Sequence, residues 1–237
     1  LKRRSGGADG VPGGRAFAAR LIRWFRRNGR DLPWRQTRDP YEILVSEVML
    51  QQTQVERVKE YYDPFLRRYP TVHDLAEAPR SGVMEAWAGL GYYNRARNLH
   101  KAAKRILRRH DGDFPQAIEE VRSLPGVGAY TAGAVLSFAF NQPAPVLDTN
   151  VRRVLARVFL GRPPRKNAAE HRRLAALNLA LIPAGKAWEF NQAVMELGAV
   201  VCTARNPKCG ACIVWDQCRF YQRRQAGRDG AAGQARG

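Results

Sequence analysis

The residues of this chain best equipped for chemistry are its thiols and a few isolated carboxylates. All four cysteines fall in one stretch, VCTARNPKCGACIVWDQC, as Cys202, Cys209, Cys212 and Cys218, spaced C-x6-C-x2-C-x5-C. Two disulfides in so short a segment would be unusual in a chain that opens without a secretion signal, so metal ligation is the better reading. Structural zinc usually draws on two C-x2-C pairs from separate knuckles, and here one pair has that spacing. A single loop supplying every thiolate suits a 4Fe-4S cluster, although the ferredoxin spacings differ; iron–sulfur is favoured and zinc stays open. Arg205 and Lys208 lie between the first two cysteines, where a loop pinned by a cluster would hold positive charge on a rigid support.

Glu47 sits in DPYEILVSEVMLQQTQVERVKEYY, which reads as one helix: Asp39 can cap it, Pro40 suits its first turn and Glu42 stands where a capping-box acid would. Ile43, Leu44, Val45, Val48, Met49 and Leu50 cover nearly all sides, so the helix is buried and Glu47 is a carboxylate inside an apolar segment. Such a group needs a partner or must keep its proton. It is either half of an ion pair with one of the many arginines or a general acid whose proton affinity is raised by its surroundings. Gln51, Gln52, Thr53 and Gln54 follow as an uncharged patch able to meet base edges, or as a plain polar helix face. Asp148, in NQPAPVLDTNVRRVLARVF, ends an extended approach held by two prolines and precedes a helix; alone it reads as an N-cap. Beside Glu47 it would complete a pair, one acid neutral and one ionised, of the kind that breaks glycosidic bonds through an oxocarbenium-like transition state.

The elements that must position these groups are helical. In VRSLPGVGAYTAGAVLSFAF a helix ends near Ser123, Leu124 to Gly128 form a tight turn and a new helix starts near Ala129. Gly126 and Gly128 permit positive φ and close backbone approach, and the outward amides of the next helix make a phosphate clamp; an ordinary helix–helix turn is the plainer option. GGRAFAARLIRWFRRNGRDLPWR is an amphipathic helix with Phe17, Leu21, Ile22 and Phe25 on one face, ended by Gly29. Residues 1–13 and 221–237 read as disordered tails rich in glycine, alanine and arginine. No stretch sustains a period of two, so the fold class is all-α.

Charge narrows the partner. A chain of 237 residues can bury a real core, and its formal net charge of +19, mostly arginine, points to a polyanion. Nucleic acid is favoured over a membrane surface because the charge is spread along the chain, with a merely soluble basic surface as the alternative. No apolar run approaches the roughly 20 residues of a membrane span. Leu1 suggests a trimmed start, and a cytoplasmic, nucleoid-associated protein is expected.

The strings LPWR, SEVMLQQTQV, GLGYYNRARNLH, LPGVGAYTAGAV, LDTNVRRVLAR and MELGAVVCTARNPKCGACIVWDQC together resemble the MutY-type adenine DNA glycosylases of the helix-hairpin-helix superfamily, which also includes endonuclease III. The resemblance runs from about residue 15 to residue 220. It implies two helical domains with a DNA-binding cleft between them: residues 34–148 as a six-helix domain with the hairpin, and residues 149–220, joined by the helix of residues 14–33, as the domain where the cysteines hold a 4Fe-4S cluster. The implied partner is double-stranded DNA containing an adenine mispaired with 8-oxoguanine or guanine, bound by a monomer with no membrane association.

The resemblance also implies roles. Glu47 matches the general acid that protonates adenine N7, and Asp148 the carboxylate that stabilises the sugar cation; Tyr130 and Asn150 match residues that orient this site. Arg35 matches a residue lining the adenine pocket, and Leu50, Gln52 and Tyr92 match residues that contact or enter the duplex beside the orphan base. Leu124, Gly126, Val127 and Gly128 form the implied phosphate-binding hairpin, and Arg205 and Lys208 the basic loop on the DNA backbone. Endonuclease III has a lysine where this chain has Tyr130, so a monofunctional glycosylase that leaves an abasic site is expected. Arg95, Arg97, Lys101, Lys104 and Arg108 are candidate phosphate contacts or a solvated helix face. Typical members continue into a MutT-like domain that reads 8-oxoguanine, whereas this sequence ends at Gly237; weaker preference for the oxidised base is expected. Alternatives are a glycosylase for thymine or uracil opposite guanine, a non-catalytic DNA-binding module, and an electron-transfer protein built round the cluster.

Overall fold

The computed structural model describes residues 10–234, with side chains through residue 226. Among the described residues the secondary structure is entirely helical, as expected, and no helix is long and apolar enough to cross a membrane. The chain divides into two compact units: Asp31–Gln142, and a second in which Pro143–Gly237 is joined by Leu1–Arg30. The expected start at 34 falls three residues inside the Asp31–Gln142 unit, and the expected end at 148 falls six residues beyond it. The parts of the expected tails at 1–9 and 235–237 lie outside the described residues.

The Asp31–Gln142 unit holds α2 (Pro40–Met49), α3 (Val55–Arg68), α4 (Val72–Glu77), α5 (Arg80–Ala86), α6 (Asn94–His110), α7 (Ile118–Ser123) and α8 (Ala129–Phe140), preceded by a 3-10 turn at Pro33–Arg35. That is seven helices where six were expected. Helix α2 packs against α3, α6 and α8, so apolar residues on every side of it are buried. Asp39 caps it, accepting from Tyr41 N at 2.7 Å and Glu42 N at 3.2 Å. Glu42 is not the capping-box partner that the sequence offered, since Asp39 N donates to Thr37 Oγ1 instead.

The expected single helix from Asp39 to Tyr62 is in fact two. Helix α2 stops at Met49, Gln52 takes a left-handed conformation with φ of 59°, and α3 begins at Val55. The orphan carbonyls of a helix C-terminus need donors, and here the Arg95 guanidinium in the first turn of α6 supplies them: Nη1 donates to Val48 O at 3.1 Å, to Met49 O at 2.7 Å and to Gln51 O. A cap that arrives 46 residues downstream cannot be read from the local sequence.

The other unit holds α1 (Gly14–Asn28), α9 (Thr149–Leu155) continued by a π-helical turn at Ala156–Leu160, α10 (Ala168–Leu181), α11 (Ala187–Val200) and α12 (Arg219–Gln234). Helix α1 buries Phe17, Leu21, Ile22 and Phe25 as its spacing predicted and packs on α11, with the Phe17 and Phe190 rings edge to face at 6.4 Å. Each such side chain contributes about 1.5–3 kcal/mol on burial. The end of α1 is tied down as Arg30 Nε and Nη2 fork onto the fully buried Glu196 carboxylate on α11, at 2.7 and 3.1 Å. Residues 221–234, expected to be a disordered tail, continue α12, whose first turn is anchored because Phe220 and Tyr221 pack on the core.

Candidate active site

Asp148 stands at the end of an extended segment that two buried amides hold straight. Asn178 Oδ1 accepts from Val146 N at 2.9 Å, Asn178 Nδ2 donates to Asn191 Oδ1 at 3.1 Å, and Asn191 Nδ2 donates to Ala144 O at 3.1 Å. The carboxylate then caps α9, accepting from Val151 N at 2.6 Å through Oδ1, while Oδ2 accepts from Asn150 Nδ2 at 3.0 Å. The N-cap role and a fixed orientation thus coexist in one residue. Burial pushes the Asp148 carboxyl above its ordinary value, opposed by the Val151 N–H, the Asn150 amide and the Arg153 charge.

Arg153 extends this chain of bonds. Its Nη2 donates to Asn150 Oδ1 and to Gly198 O, each at 2.7 Å, and its Nε donates to Cys202 O at 2.7 Å, so hydrogen bonds run from the Asp148 carboxylate to the backbone of the first cysteine. Gly198 on α11 makes room: a Cβ there would stand 2.7 Å from Asn150 Cβ. The sequence reading missed Arg153, although its place three residues after Asn150 on α9 puts both on one helix face. It also missed Arg157, which the π-helical turn directs at the cysteine loop. Arg157 Nη1 donates to Thr203 O at 2.7 Å and to Cys202 Sγ at 3.4 Å, and Nη2 to Ala204 O at 3.0 Å.

All four cysteines carry free thiols and line one pocket, with Val154, Val158, Leu197, Val214 and Phe220 among its walls. Burial pushes the Cys212 thiol up to about 11 and raises that of Cys218, so thiolates here require a cationic centre to hold. Among the described residues no group of three or more His, Cys, Asp or Glu is placed to hold a metal ion by itself. Four thiols around one pocket suit a cluster, with one iron for each thiolate, better than one tetrahedral ion. The loop's turn at Asn206 is left-handed, with φ of 50°, and leaves Arg205 and Lys208 exposed.

In the Asp31–Gln142 unit, Glu47 lies on α2 with 4% of its surface exposed, and Tyr130 is half-buried in the first turn of α8, the helix against which α2 packs. Arg35 is half-buried in the 3-10 turn that Trp34 anchors against the Tyr62 ring. Leu50, half-buried, is the C-cap of α2. Gln52 and Tyr92 are exposed and share an open groove lined also by Gln51, Tyr93, Asn94, Arg95 and Arg97. Arg95 is no phosphate contact, since it is buried at 8% exposure with its guanidinium spent on backbone carbonyls.

The hairpin between α7 and α8 is a type II turn. Val127 N donates to Leu124 O at 3.1 Å, and Gly126 at φ of 77° takes the position that requires a residue without Cβ. Gly126 is required twice over, since a Cβ would lie 2.7 Å from Asn98 Cβ. Gly128 departs from expectation: its φ is −88°, and no atom lies within 4 Å of where its Cβ would be, so it supplies open approach to the start of α8 and not an unusual conformation. The Leu124 and Val127 side chains are buried, which leaves their backbone, not their side chains, for any contact outside the protein.

Residues 45–178 match the HhH-GPD superfamily of base excision DNA repair proteins. The chain belongs to that superfamily. The HhH-GPD match spans Glu47, the hairpin, Asp148 and the Asn178 amide, and residues 202–218 match the iron–sulfur binding domain of endonuclease III. The cysteine loop is accordingly an iron–sulfur binding domain equipped for a 4Fe-4S cluster. The chain is 48% identical over 202 residues to the adenine DNA glycosylase of Mycobacterium tuberculosis, a match covering 84% of this chain and 66% of that protein. It is 44% identical over 222 residues to the adenine DNA glycosylase of Mus musculus, covering 90% of this chain and 43% of that protein. The chain thus spans less than two thirds of these curated relatives. Among solved structures, that of a thermostable thymine-DNA glycosylase has a TM-score of 0.82 at 33% identity, with 90% of this chain and 98% of that chain covered. An endonuclease III–DNA complex has a TM-score of 0.74 at 27% identity, covering 90% and 96%.

Proposed function

We propose that the chain binds double-stranded DNA and releases adenine mispaired with 8-oxoguanine or guanine, leaving an abasic site. The observation that carries this reading is the Asp148 carboxylate, half-buried with both oxygens held by hydrogen bonds. A carboxylate fixed in that way cannot turn aside as positive charge develops beside it, which is what stabilising an oxocarbenium-like sugar demands. The base must first leave the stack. Glu47 then donates a proton to adenine N7 as the bond between the sugar C1′ and N9 breaks and its electron pair stays on the base. Water adds to C1′ and loses a proton, and Asp148 stabilises the cation between the two events. Tyr130 and Asn150 orient the groups, and Arg35 lines the base pocket.

Gln52 and Tyr92 enter the duplex beside the orphan base, Leu50 contacts the DNA there, and the inserted side chains offset an unstacking cost of about a few kcal/mol. The Leu124–Gly128 backbone binds phosphate, and Arg205 and Lys208 hold the backbone farther along. Cys202, Cys209, Cys212 and Cys218 would hold the 4Fe-4S cluster, which supplies a rigid cross-link for that loop. Tyr130 has no amine to form a Schiff base, so the strand is not cut by the enzyme itself. The likeness to a thymine-DNA glycosylase favours one second reading, thymine opposite guanine; the run Gln51–Gln54 favours adenine. Duplexes holding adenine opposite 8-oxoguanine, guanine or thymine, and thymine opposite guanine, separate the two. Alkali-dependent breaks at adenine support the reading; breaks at thymine alone replace it with the second.

A further inference from the structure

The exposed groove of the Asp31–Gln142 unit is built on an unusual support. Two of its exposed side chains, Gln52 and Tyr92, both sit in left-handed backbone, at φ of 59° and 48°, a conformation that costs residues other than glycine. They lie on separate loops, one after α2 and one before α6, and a single buried guanidinium joins them. Arg95 Nη1 faces the α2 side through Val48 O, Met49 O and Gln51 O, and Nη2 reaches Thr53 Oγ1 at 3.0 Å on that loop. The same Nη2 donates to Leu90 O and Gly91 O of the other loop, both at 3.2 Å. Six acceptors, on the end of α2 and on the two loops, thus share the four N–H bonds of the terminal nitrogens. The guanidinium carbon is also 5.3 Å from the Tyr92 ring centroid and 5.6 Å from that of the buried Trp87, so Tyr92 rests against the cation.

The geometry points to Arg95 as the positioning residue that locks Gln52 and Tyr92 into one rigid wedge, so that opening the duplex needs no ordering of either loop when DNA binds. The inference rests on the proposed function, which has these two side chains entering DNA. Its chemistry is that of a planar fork. Lysine keeps the charge but offers one compact nitrogen, which cannot span both loops or lie against the Tyr92 ring. An arginine contacting phosphate would behave in the opposite way, tolerating lysine and contributing to the salt dependence of binding.

The test compares wild type, Arg95→Lys, Arg95→Met, Tyr92→Ala and the Tyr92→Ala/Arg95→Lys double variant. The substrate is a duplex with adenine opposite 8-oxoguanine and 2-aminopurine next to the target, whose fluorescence reports unstacking. Arg95→Lys is expected to lower the single-turnover rate about 100-fold, the cost of a misplacement near 1 Å, and to bring the fluorescence rise down to that of Tyr92→Ala. The double variant should lose clearly less than the product of the two single losses, because part of the Arg95 effect runs through the Tyr92 ring. The slope of log affinity against log salt should stay at the wild-type value in both Arg95 variants. The inference is overturned if Arg95→Lys matches wild type in rate and fluorescence, if the double variant multiplies the two losses, or if Arg95→Met flattens the slope by about 0.9. Should the Arg95 variants fail to fold, Thr53→Val removes one acceptor only and must show a smaller loss of fluorescence rise; no loss overturns the inference as well. Wild-type unstacking without base release would sink the proposed reaction and leave the wedge standing.

Discussion

Substituting Gly198 by alanine should separate catalysis from stability. The glycine is buried on α11, where a Cβ would lie 2.7 Å from Asn150 Cβ and 3.1 Å from its Cα and carbonyl carbon. Those are atoms of α9 itself, not the end of a flexible side chain, so α9 must move by about half an ångström or more to restore van der Waals contact. Overpacking costs about 1–3 kcal/mol, and alanine in place of glycine within a helix returns about 1 kcal/mol. The net loss of about 0–2 kcal/mol lowers the melting temperature by at most about 8 °C. Asn150 moves with α9, however, and its Nδ2 is what holds Asp148 Oδ2. Displacement of that order should slow base release about 10- to 100-fold, with duplex affinity unchanged. Single-turnover release and thermal denaturation of Gly198→Ala check this, with Gly185→Ala as a control: its Cβ would meet no atom within 4 Å, but its φ of 68° strains the backbone. The control should lose stability and keep its rate. A full-speed Gly198→Ala enzyme would refute the argument that Asn150 sets the carboxylate.

Other perturbations read the same site. Because burial raises the Asp148 carboxyl and the reaction needs it ionised, the acid limb of the pH–rate profile should lie above the ordinary carboxylate range; Asn150→Leu, which removes an opposing hydrogen bond, should move it higher still. The same raised value contributes stability below the unfolded pKa, lost as pH rises through the folded one, so Asp148→Asn should melt no lower than wild type at neutral pH, keep the cap and lose base release. Gly126→Ala should weaken duplex binding and stability together, since both the φ of 77° and the Asn98 contact oppose it. Chelating the iron under reducing conditions should lower the melting temperature, and a melting curve indifferent to the chelator would contradict the fit of the four thiols to a cluster.

How far the sequence could be read depended on whether the cause of a feature was local. The α1 stripe, the Asp39 cap, the buried α2 and the turn at Gly126 follow from neighbours a few residues apart, and each was legible. The break after Met49 was not, because the polar run Gln51–Gln54 continues a helical pattern and the donor that ends the helix comes from α6. Arg95 was misread for the same reason: in NRARNLH it looks like any surface arginine, and only its tertiary setting shows a buried cap. The composition of 221–234 carries no helical signal, and α12 starts where Phe220 and Tyr221 pack on the core. Asn178 and Asn191 gave no signal at all, since a buried amide pair bracing an extended segment has no sequence pattern of its own.

The central claim is a reaction, and free base is its product. Under single turnover with an excess of protein over a duplex holding adenine opposite 8-oxoguanine, mass spectrometry of the small-molecule fraction should find adenine released in step with alkali-labile sites. Glu47→Gln, which keeps the volume of the buried side chain and removes its proton, should slow release by about 100-fold or more. Intact duplex bound tightly by wild type with no free adenine, or equal release by Glu47→Gln, would contradict the account.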